Sequence, residues 1–379
     1  MAKVKYFIFE ANKYIMIVND IINYLEELAP LSYGEDFDNV GLLVGNKNNQ
    51  VTGILVTLDT LEDVVDEAIE KNCNLIVSFH PIIFKGLKKV NGNNYVERVV
   101  IKAIQNNINI FAIHTALDNA HQGVNNIICD TLGLKNKRIL MPQHGTIKKL
   151  TTYVPSKDAD KLRSALFNAG AGNIGNYDHC SYNIEGKGTF RGNESSNPTV
   201  GEQGELRMED ETLISVTFQK HLENKILNSL FKNHPYEEVA FEVITLDNYN
   251  QNIGMGMVGE LEKETDTLEF LKFVKSIMNA SCVKHSKITK KTIKKVAVLG
   301  GSGSFAIQAA KSVNADVLIT SDLKYHDFFT AENQIIIADI GHYESEQFTK
   351  NFLADYLSKK FINFAVVLST TNTNPVKYL

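Results

Sequence analysis

The segment Asp339–Glu346 (DIGHYESE) changes from a strand pattern to a helix pattern, and it fixes where a candidate site would lie in the fold. The apolar run Ile335–Ala338 predicts a buried strand, which Gly341 ends before the helical pattern begins. His342 and Glu346 are four positions apart, so they share one face of that helix, roughly 5–6 Å apart at Cβ. Imidazole and carboxylate together suit Zn, Mn or Fe. Most such pairs on a helix surface are only solvated, so the metal hypothesis needs support from elsewhere in the chain.

Composition narrows the class of protein. The chain has 379 residues, enough for two or three domains, with 44% hydrophobic and 22% charged residues, which is typical of a soluble globular protein. A net charge of −5 argues against a dedicated nucleic-acid-binding protein. The four cysteines show no CxxC spacing, which predicts reduced thiols and a cytoplasmic location. No apolar run approaches the roughly 20 residues of a membrane helix, so no membrane partner is expected.

The first half of the chain alternates strands and helices. Strands are predicted at Val51–Leu58, Asn74–Ser78 and Ile108–Ile113, with helices at 61–71 and 94–106 between them. This order predicts an α/β domain with a parallel or mixed sheet and helices on its faces. Ligands of such domains bind beyond the carboxyl ends of the strands.

Histidines and acids lie at those strand ends. His80 follows the second strand, and His114 and Asp118 follow the third. A lone histidine at a strand end is more often a satisfied polar residue, but three candidate ligands at successive strand ends indicate a site. Upstream, one loop contains the acids Glu35, Asp36 and Asp38. These acids are either solvated or orient the ligands of a metal site without binding the metal themselves.

The pattern changes from about Lys148. A β-α-β-β-α-β order, with a polar loop near 186–204, predicts an inserted α+β ferredoxin-like domain. The domains predicted from these changes are an N-terminal extension at 1–15, the first half of the outer domain at 16–147, the insert at 148–250 and the second half of the outer domain at 251–379.

The second half adds two features. Gly300–Ser304 is a glycine-rich turn between a strand and a helix, which is either an anion cradle or, as we favour, a tight turn without a ligand. The segment after the strand Asp316–Thr320 adds Asp322, Lys324 and His326 to the candidate site.

Together these motifs resemble the NIF-three-like family, also called GTP cyclohydrolase 1 type 2. The resemblance runs from about Met16 to the C-terminus. The segments that carry it are Asp36–Leu42 (DFDNVGL), Ser78–Leu87 (SFHPIIFKGL), His114–Asp118 (HTALD), Ser321–His326 (SDLKYH) and Gly341–Glu346 (GHYESE). The insert is similar to that of the longer bacterial members through Gly175–Cys180 (GNYDHC) and His234–Glu238 (HPYEE).

The resemblance implies a two-metal site between the halves of the outer domain, a homohexameric toroid and an inserted P-two-like domain. By position, one metal takes His80, Asp118 and Glu346. The other takes the first histidine of an H-H-P motif, His342 and the shared Glu346. Phe79 replaces that first histidine here, and a phenyl ring cannot be a ligand. We therefore expect one tight divalent metal and one weak position near His342, with His114 and His326 as open replacements.

The implied function is a metal-dependent hydrolase that acts on a nucleotide such as GTP, with Glu35, Asp38 or His326 as the general base. The choice of GTP comes from the family resemblance alone. The alternative is a non-enzymatic hexameric metal-binding, metallochaperone or regulatory protein, and the replacement of a ligand by Phe79 favours it.

Overall fold

The computed structural model describes residues 15–379, so nearly all of the predicted extension at 1–15 lies outside the described residues. The chain divides into two compact units. The first contains the described residues up to Met141 together with Ile253–Leu379, and the second is Pro142–Asn252. The predicted insert, 148–250, falls within the second unit.

The elements are as follows. The strands are β1 (Gly41–Val44), β2 (Ile54–Thr57), β3 (Leu75–Ser78), β4 (Asn109–Ala112), β5 (Lys135–Gln143), β6 (Ile147–Pro155), β7 (Tyr182–Phe190), β8 (Arg207–Gln219), β9 (Phe241–Leu246), β10 (Asn250–Asp266), β11 (Lys284–His285), β12 (Thr292–Ser302), β13 (Val317–Ser321), β14 (Ile336–Asp339) and β15 (Val366–Leu368). The helices are α1 (Val18–Leu28), α2 (Glu62–Glu70), α3 (Tyr95–Gln105), α4 (His114–Asn119), α5 (Val124–Thr131), α6 (Ala159–Asn168), α7 (Glu223–Asn233), α8 (Thr267–Ile277), α9 (Ile307–Ser312), α10 (His342–Glu346) and α11 (Thr349–Lys360). None of these helices is long and apolar enough to cross a bilayer.

The first unit contains a five-stranded sheet in the order β1-β4-β3-β2-β15. β2, β3 and β4 are buried along their whole length, as expected for parallel strands whose two faces are both covered. Thr57 pairs with Ser78, and Ser78 pairs with Ala112, so the three strands end at one edge of the sheet. The predicted mixed sheet is therefore present, with β1 as its antiparallel edge strand.

A six-stranded sheet in the order β11-β14-β13-β12-β10-β5 completes the unit. Its central strands β12, β13 and β14 are parallel. Ser302 pairs with Ser321, and Thr320 pairs with Asp339, so these strands also end together. Each sheet thus offers one edge at which polar residues can follow several strands.

The two sheets share one hydrophobic core. A single buried cluster contains Val56 and Val77 of the first sheet, Val298 and Ile336 of the second, and Leu353 of α11. Because one core supports both sheets, side chains from the two halves of the chain are held in a fixed relation to each other.

The second unit has a four-stranded antiparallel sheet in the order β7-β8-β6-β9, and its elements follow one another as β6-α6-β7-β8-α7-β9. Its core packs Leu162 of α6 and Leu230 of α7 against Leu150 and Ile214 of the sheet. The loop predicted near 186–204 begins later than expected, because β7 continues to Phe190. The whole fold is mixed α/β with several sheets.

Candidate metal centre

Three side chains from both halves of the first unit meet at one point. His80 follows β3, and His342 and Glu346 are the first and last residues of α10. Oε2 of Glu346 lies 3.1 Å from Nε2 of His80 and 3.2 Å from Nε2 of His342. One ligand atom from each residue lies within 4.8 Å of the other two, a spacing that a single metal ion can bridge. We call these three residues the triad.

The turn from β14 into α10 explains how His342 and Glu346 reach this point. Gly341 has φ of 98°, a conformation that favours glycine, and it lets the chain turn sharply from strand to helix. The four-residue spacing then places both side chains on the same helical face, as the sequence predicts.

Each histidine of the triad is oriented by a second carboxylate. Nδ1 of His80 lies 2.8 Å from Oδ1 of Asp59, and Nδ1 of His342 lies 2.7 Å from Oδ2 of Asp322. These contacts direct both Nε2 atoms toward Glu346, an arrangement typical of metal-binding histidines. Asp322 adopts a left-handed backbone with φ of 56°, so the strand end is distorted where it meets His342.

Glu346 lies over the glycine-rich turn that follows β12. A Cβ atom on Gly301 would lie 2.5 Å from Oε1 of Glu346, so only glycine leaves room for this carboxylate. The amide of Gly300 donates to Oδ1 of Asn125 at 3.0 Å, and that of Gly301 donates to Oγ of Ser345 at 2.9 Å. Both amides are therefore engaged, and the turn makes room for a carboxylate without forming an anion cradle.

Two buried carboxylate oxygens at the centre have no hydrogen-bond partner among the described residues, Oδ1 of Asp118 and Oε2 of Glu346. The close approaches of the two imidazoles to Glu346 thus lack well-directed hydrogen bonds. Burial, and then the negative charge of Glu346, raise the pKa of Asp118 well above its usual range. Buried carboxylates without partners are unfavourable, so this charge distribution fits a bound cation.

The histidines respond to the same negative charge. Burial lowers the pKa of His80, but Glu346 and Asp59 outweigh it and raise that pKa to about 10. Burial also lowers the pKa of His342, but Asp322 and Glu346 together outweigh burial and raise that pKa to about 11. Positive charge is therefore strongly favoured at the triad.

His114 forms a similar pair beside the triad. Its Nδ1 lies 2.9 Å from Oδ2 of Asp38, and its ring centroid lies 5.2 Å from that of His80. Oδ2 of Asp38 also accepts hydrogen bonds from the amide and the hydroxyl of Thr115. Burial raises the pKa of Asp38, but the hydrogen bonds from His114 and Thr115 outweigh burial and lower it to about 2. Asp38 is thus better suited to orienting His114 than to accepting a proton near neutral pH.

The other residues expected at the site lie as follows. Oε1 of Glu35 accepts a hydrogen bond of 2.9 Å from the Asn119 amide, which places this acid beside α4. His326 is exposed in the 3₁₀ turn Tyr325–Ala331, and its described ring contacts are with aromatic residues of the same turn. Lys324 precedes that turn and is also exposed. His326 is therefore not brought to the triad.

The structure brings three of the four expected ligand residues together as the triad. Glu346, which the resemblance shares between two metal positions, contacts both His80 and His342. Asp118 lies outside the group of three but shares their electrostatic environment. Phe79 is completely buried, with its ring centroid 4.8 Å from that of His80.

Asp59 is the site residue that the sequence did not reveal. It lies two residues after β2, where the sequence shows only an acid near the end of a strand. The register that brings β2 beside β3 would place it near His80, but a single acid at such a position is common and gives no signal alone.

Fold and site together define a mixed α/β protein whose candidate metal centre is a triad of one buried glutamate and two partly exposed histidines. The model of the family described as Duf34/NIF3 (NGG1p interacting factor 3) matches residues 16–375, so the chain belongs to this family. This confirms the resemblance that the motifs indicate.

Relatives and solved structures agree with this assignment. The chain is similar to a Bacillus subtilis protein named "GTP cyclohydrolase 1 type 2 homolog", with 37% identity over 365 residues, 95% of this chain and 98% of the relative. It also resembles the crystal structure of a Bacillus cereus protein related to NIF3, with 34% identity, a TM-score of 0.84 and coverage of 97% of this chain and 100% of that one. A Staphylococcus aureus structure matches at 31% identity and a TM-score of 0.77, covering 96% of this chain and 99% of that one.

Proposed function

We propose that this chain is a divalent-metal-dependent hydrolase that acts on a nucleotide. The observation that carries the proposal is the convergence of the triad, in which Oε2 of Glu346 and the nearby Oδ1 of Asp118 are buried and have no hydrogen-bond partner among residues 15–379. The name of its relatives, GTP cyclohydrolase 1 type 2 homolog, supports a guanine nucleotide as the substrate.

The ligands we propose are Nε2 of His80, Nε2 of His342 and Oε2 of Glu346, with the carboxylate of Asp118 completing the set. Imidazole and carboxylate ligands together suit Zn, Mn or Fe. A divalent ion held there supplies Lewis acidity, which activates water and polarises the electrophilic centre of a substrate. Asp59 and Asp322 hold the Nδ1 atoms of the two histidines, so each Nε2 keeps its lone pair directed at the centre.

We propose His114 as the general base, with Asp38 as its orienting partner. Asp38 binds Nδ1 of His114, which leaves Nε2 as the atom that accepts a proton. The ring lies beside that of His80, close enough to the triad for this role. Glu35 remains a second candidate base, because it lies next to the same helix.

The assembly and location are also proposals. We propose a homohexameric toroid in the cytoplasm, with the second unit as a ferredoxin-like, P-two-like domain. The strand order β7-β8-β6-β9, with the two helices packed into a single core against the sheet, supports this domain class. Light scattering on the purified protein tests the assembly, and a monomer or dimer at micromolar concentration would contradict it.

The second candidate function is a non-enzymatic metal-binding or metallochaperone protein. Phe79 favours it, because a completely buried phenyl ring stands where the resemblance implies a ligand. A centre with a single tight ion suits metal storage or delivery as well as catalysis.

One experiment separates the two functions. The protein is stripped of metal, reloaded with Zn, Mn or Fe, and assayed for bound metal by mass spectrometry and for GTP turnover by chromatography. Glu346→Gln is the test variant. Glu344→Gln is the matched control, since Glu344 is a buried acid of the same helix that binds Asn374 and lies outside the triad.

We expect Glu346→Gln to lose both tight metal and turnover, and Glu344→Gln to keep both. Metal binding that depends on Glu346 without turnover by any of the three loaded forms would favour the metal-binding function. Unchanged metal content in Glu346→Gln would contradict the proposed centre.

A further inference from the structure

The second unit contains a cavity of about 740 Å³ that is separate from the metal centre. Its floor is the sheet face opposite α6 and α7, where Tyr153, Leu213 and Ile184 are neighbours in register. Its volume lies within the range of about 300–1,000 Å³ that is usual for small-molecule sites.

The wall of the cavity is built by 191–200, which is fastened to the segment after α7. The amide of Asn197 donates to Oε1 of Glu237 at 2.6 Å, and the hydroxyl of Thr199 donates to the carbonyl of Pro235 at 2.8 Å. Two defined hydrogen bonds thus keep the cavity formed without a ligand.

Two glycines of β7, Gly186 and Gly188, leave part of the cavity floor without side chains. A Cβ atom on Gly186 would meet no atom within 4 Å, so the backbone there is open to the cavity. A Cβ atom on Gly188 would lie 2.1 Å from Oε2 of Glu211, so that carboxylate lies directly over the second glycine. A flat molecule can therefore approach the backbone at Gly186 with its edge toward Glu211.

Glu211 is an oriented acceptor in this cavity. The hydroxyl of Tyr236 donates to its Oε1 at 2.8 Å, and the Tyr236 ring contacts that of Phe190 edge to face, with centroids 5.7 Å apart. Burial, and then Glu211, raise the pKa of Tyr236, so this hydroxyl remains a donor. A carboxylate oxygen has further lone pairs, and a ligand facing Glu211 has to offer donors.

The charges of the lining residues favour a ring that carries hydrogen-bond donors and disfavour an anionic ligand. The three acids of the lining, Glu211, Glu237 and Glu238, outnumber its two cations, Arg191 and Lys187, and Lys187 is paired with Asp210 at 2.7 Å. Aromatic side chains at the cavity favour a flat ring. The cavity is also far larger than a simple alkylammonium ion requires.

We propose that this cavity binds a flat nitrogen heterocycle with a ring N–H next to an exocyclic amino group, and that Glu211 accepts both hydrogen bonds. The guanine ring of guanosine has this edge. Two parallel N–H donors match the two oxygens of one carboxylate, a geometry that gives specificity as well as affinity. The site needs no metal and does not rest on the proposed hydrolase function.

Isothermal titration calorimetry of the full-length protein tests the proposal, with guanosine, inosine and adenosine as probes. We expect guanosine to bind saturably at one per chain. Inosine, which lacks the amino group, and adenosine, which lacks the ring N–H, are expected to bind at least about tenfold more weakly, because each offers Glu211 only one of the two adjacent donors. Equal affinity for guanosine and inosine, or no saturable binding of guanosine at millimolar concentration, would overturn the proposal.

Variants locate the site. Glu211→Gln replaces one acceptor with a donor, and Gly186→Val places a β-branched side chain in the open space on the floor. Each is expected to weaken guanosine binding at least about tenfold. Glu185→Gln, on the same strand but outside the lining, is expected to bind guanosine as the unaltered protein does.

Guanosine binding that survives both cavity variants, or that is weakened equally in Glu185→Gln, would place the ligand elsewhere and overturn the assignment. Circular dichroism checks that each variant is folded. If a cavity variant fails to fold, the comparison of guanosine with inosine on the unaltered protein still decides the proposal.

Discussion

Asp59 orients His80 of the triad from a position outside the triad. Its Oδ1 contacts Nδ1 of His80, and its Oδ2 accepts a hydrogen bond of 2.5 Å from the hydroxyl of Thr373. A carboxylate in this position keeps the proton on Nδ1 and leaves Nε2 free for a metal. The orientation of a ligand is thus set by a residue 21 positions earlier in the chain.

Asp59→Asn is therefore expected to weaken metal binding by about 10- to 100-fold. The amide nitrogen of asparagine can donate to Nδ1 of His80, which moves the ring proton to Nε2 and blocks the metal-facing atom. Titration against a chelator of known affinity measures the change. Asp63→Asn, at an exposed acid of α2, is the control, and equal affinity in the two variants would contradict this role for Asp59.

Replacement of Phe79 by histidine is expected to add a metal ligand. The imidazole of Phe79→His is smaller than the phenyl ring it replaces, and it would lie beside the rings of both His80 and His114. We expect the tightly bound metal to rise from about one to about two ions per chain, measured by mass spectrometry after dialysis. Phe79→Leu is the control and should gain none. Two tight ions in the unaltered protein would show that Phe79 does not limit the count.

At the scale of the element, the turn after β12 makes room for Glu346. Gly301 has φ of 69°, and its missing Cβ leaves the space that Oε1 of Glu346 occupies. Gly301→Ala is expected to displace the carboxylate and weaken metal binding by at least about tenfold, measured by the same chelator titration.

Gly133→Ala is a matched control for Gly301→Ala. Gly133 has φ of 71°, but a Cβ atom there would meet nothing within 4 Å. Both variants carry similar backbone strain, so only Gly301→Ala should affect metal binding. A similar loss in the two variants would mean that strain and not displacement of the carboxylate is responsible.

The sequence predicts the elements that are apolar and misses those that depend on tertiary pairing. β2 and β3 consist mainly of Val, Ile and Leu, β4 is centred on Ile110 and Phe111, and the sequence predicts each strand to within three residues of its ends. The sequence does not predict β5 or β10, because β5 is largely polar, β10 contains three glycines, and the strand form of both comes from pairing within the six-stranded sheet.

The candidate site shows the same limit. His80, His342 and Glu346 were predicted, because metal-type residues at strand ends and at helical spacing carry a local signal. The pair of His114 and Asp38 spans 76 positions, and no local pattern reports which acid meets which ring. His326 has the same local signal as His80, yet the chain after β13 turns it toward solvent.

At the scale of the first unit, one buried acid connects helix α2 of the first half of the chain to the segment that follows β15. Glu67 of α2 is 7% exposed, and it accepts hydrogen bonds from Ser369, Thr370 and Thr371, which directly follow β15. These partners lie 302 to 304 positions away. Glu67 thus holds the C-terminal strand against the sheet that the first half of the chain builds.

Glu67→Ala is expected to lower the free energy of unfolding by about 3 kcal/mol, because it leaves several buried donors without an acceptor. Glu70→Ala, at an exposed position of the same helix, should change it by no more than about 0.5 kcal/mol. Urea denaturation followed by circular dichroism measures both changes. Equal midpoints for the two variants would show that the C-terminal segment does not need this anchor.

The same residue predicts how stability depends on pH. Burial raises the pKa of Glu67, but the Lys71 ammonium and the hydroxyl and amide donors after β15 outweigh burial and hold that pKa below its usual range. The folded pKa is therefore lower than the unfolded value of about 4.3, so the stabilisation is fully present above that value and is lost as the pH falls toward the folded pKa. Glu67→Gln cannot titrate, and the stability difference between it and the unaltered protein should shrink from pH 7 to pH 3.5. Urea midpoints of both proteins across this range measure the difference, and one that stays constant would assign the anchor to neutral hydrogen bonds instead of to the charge.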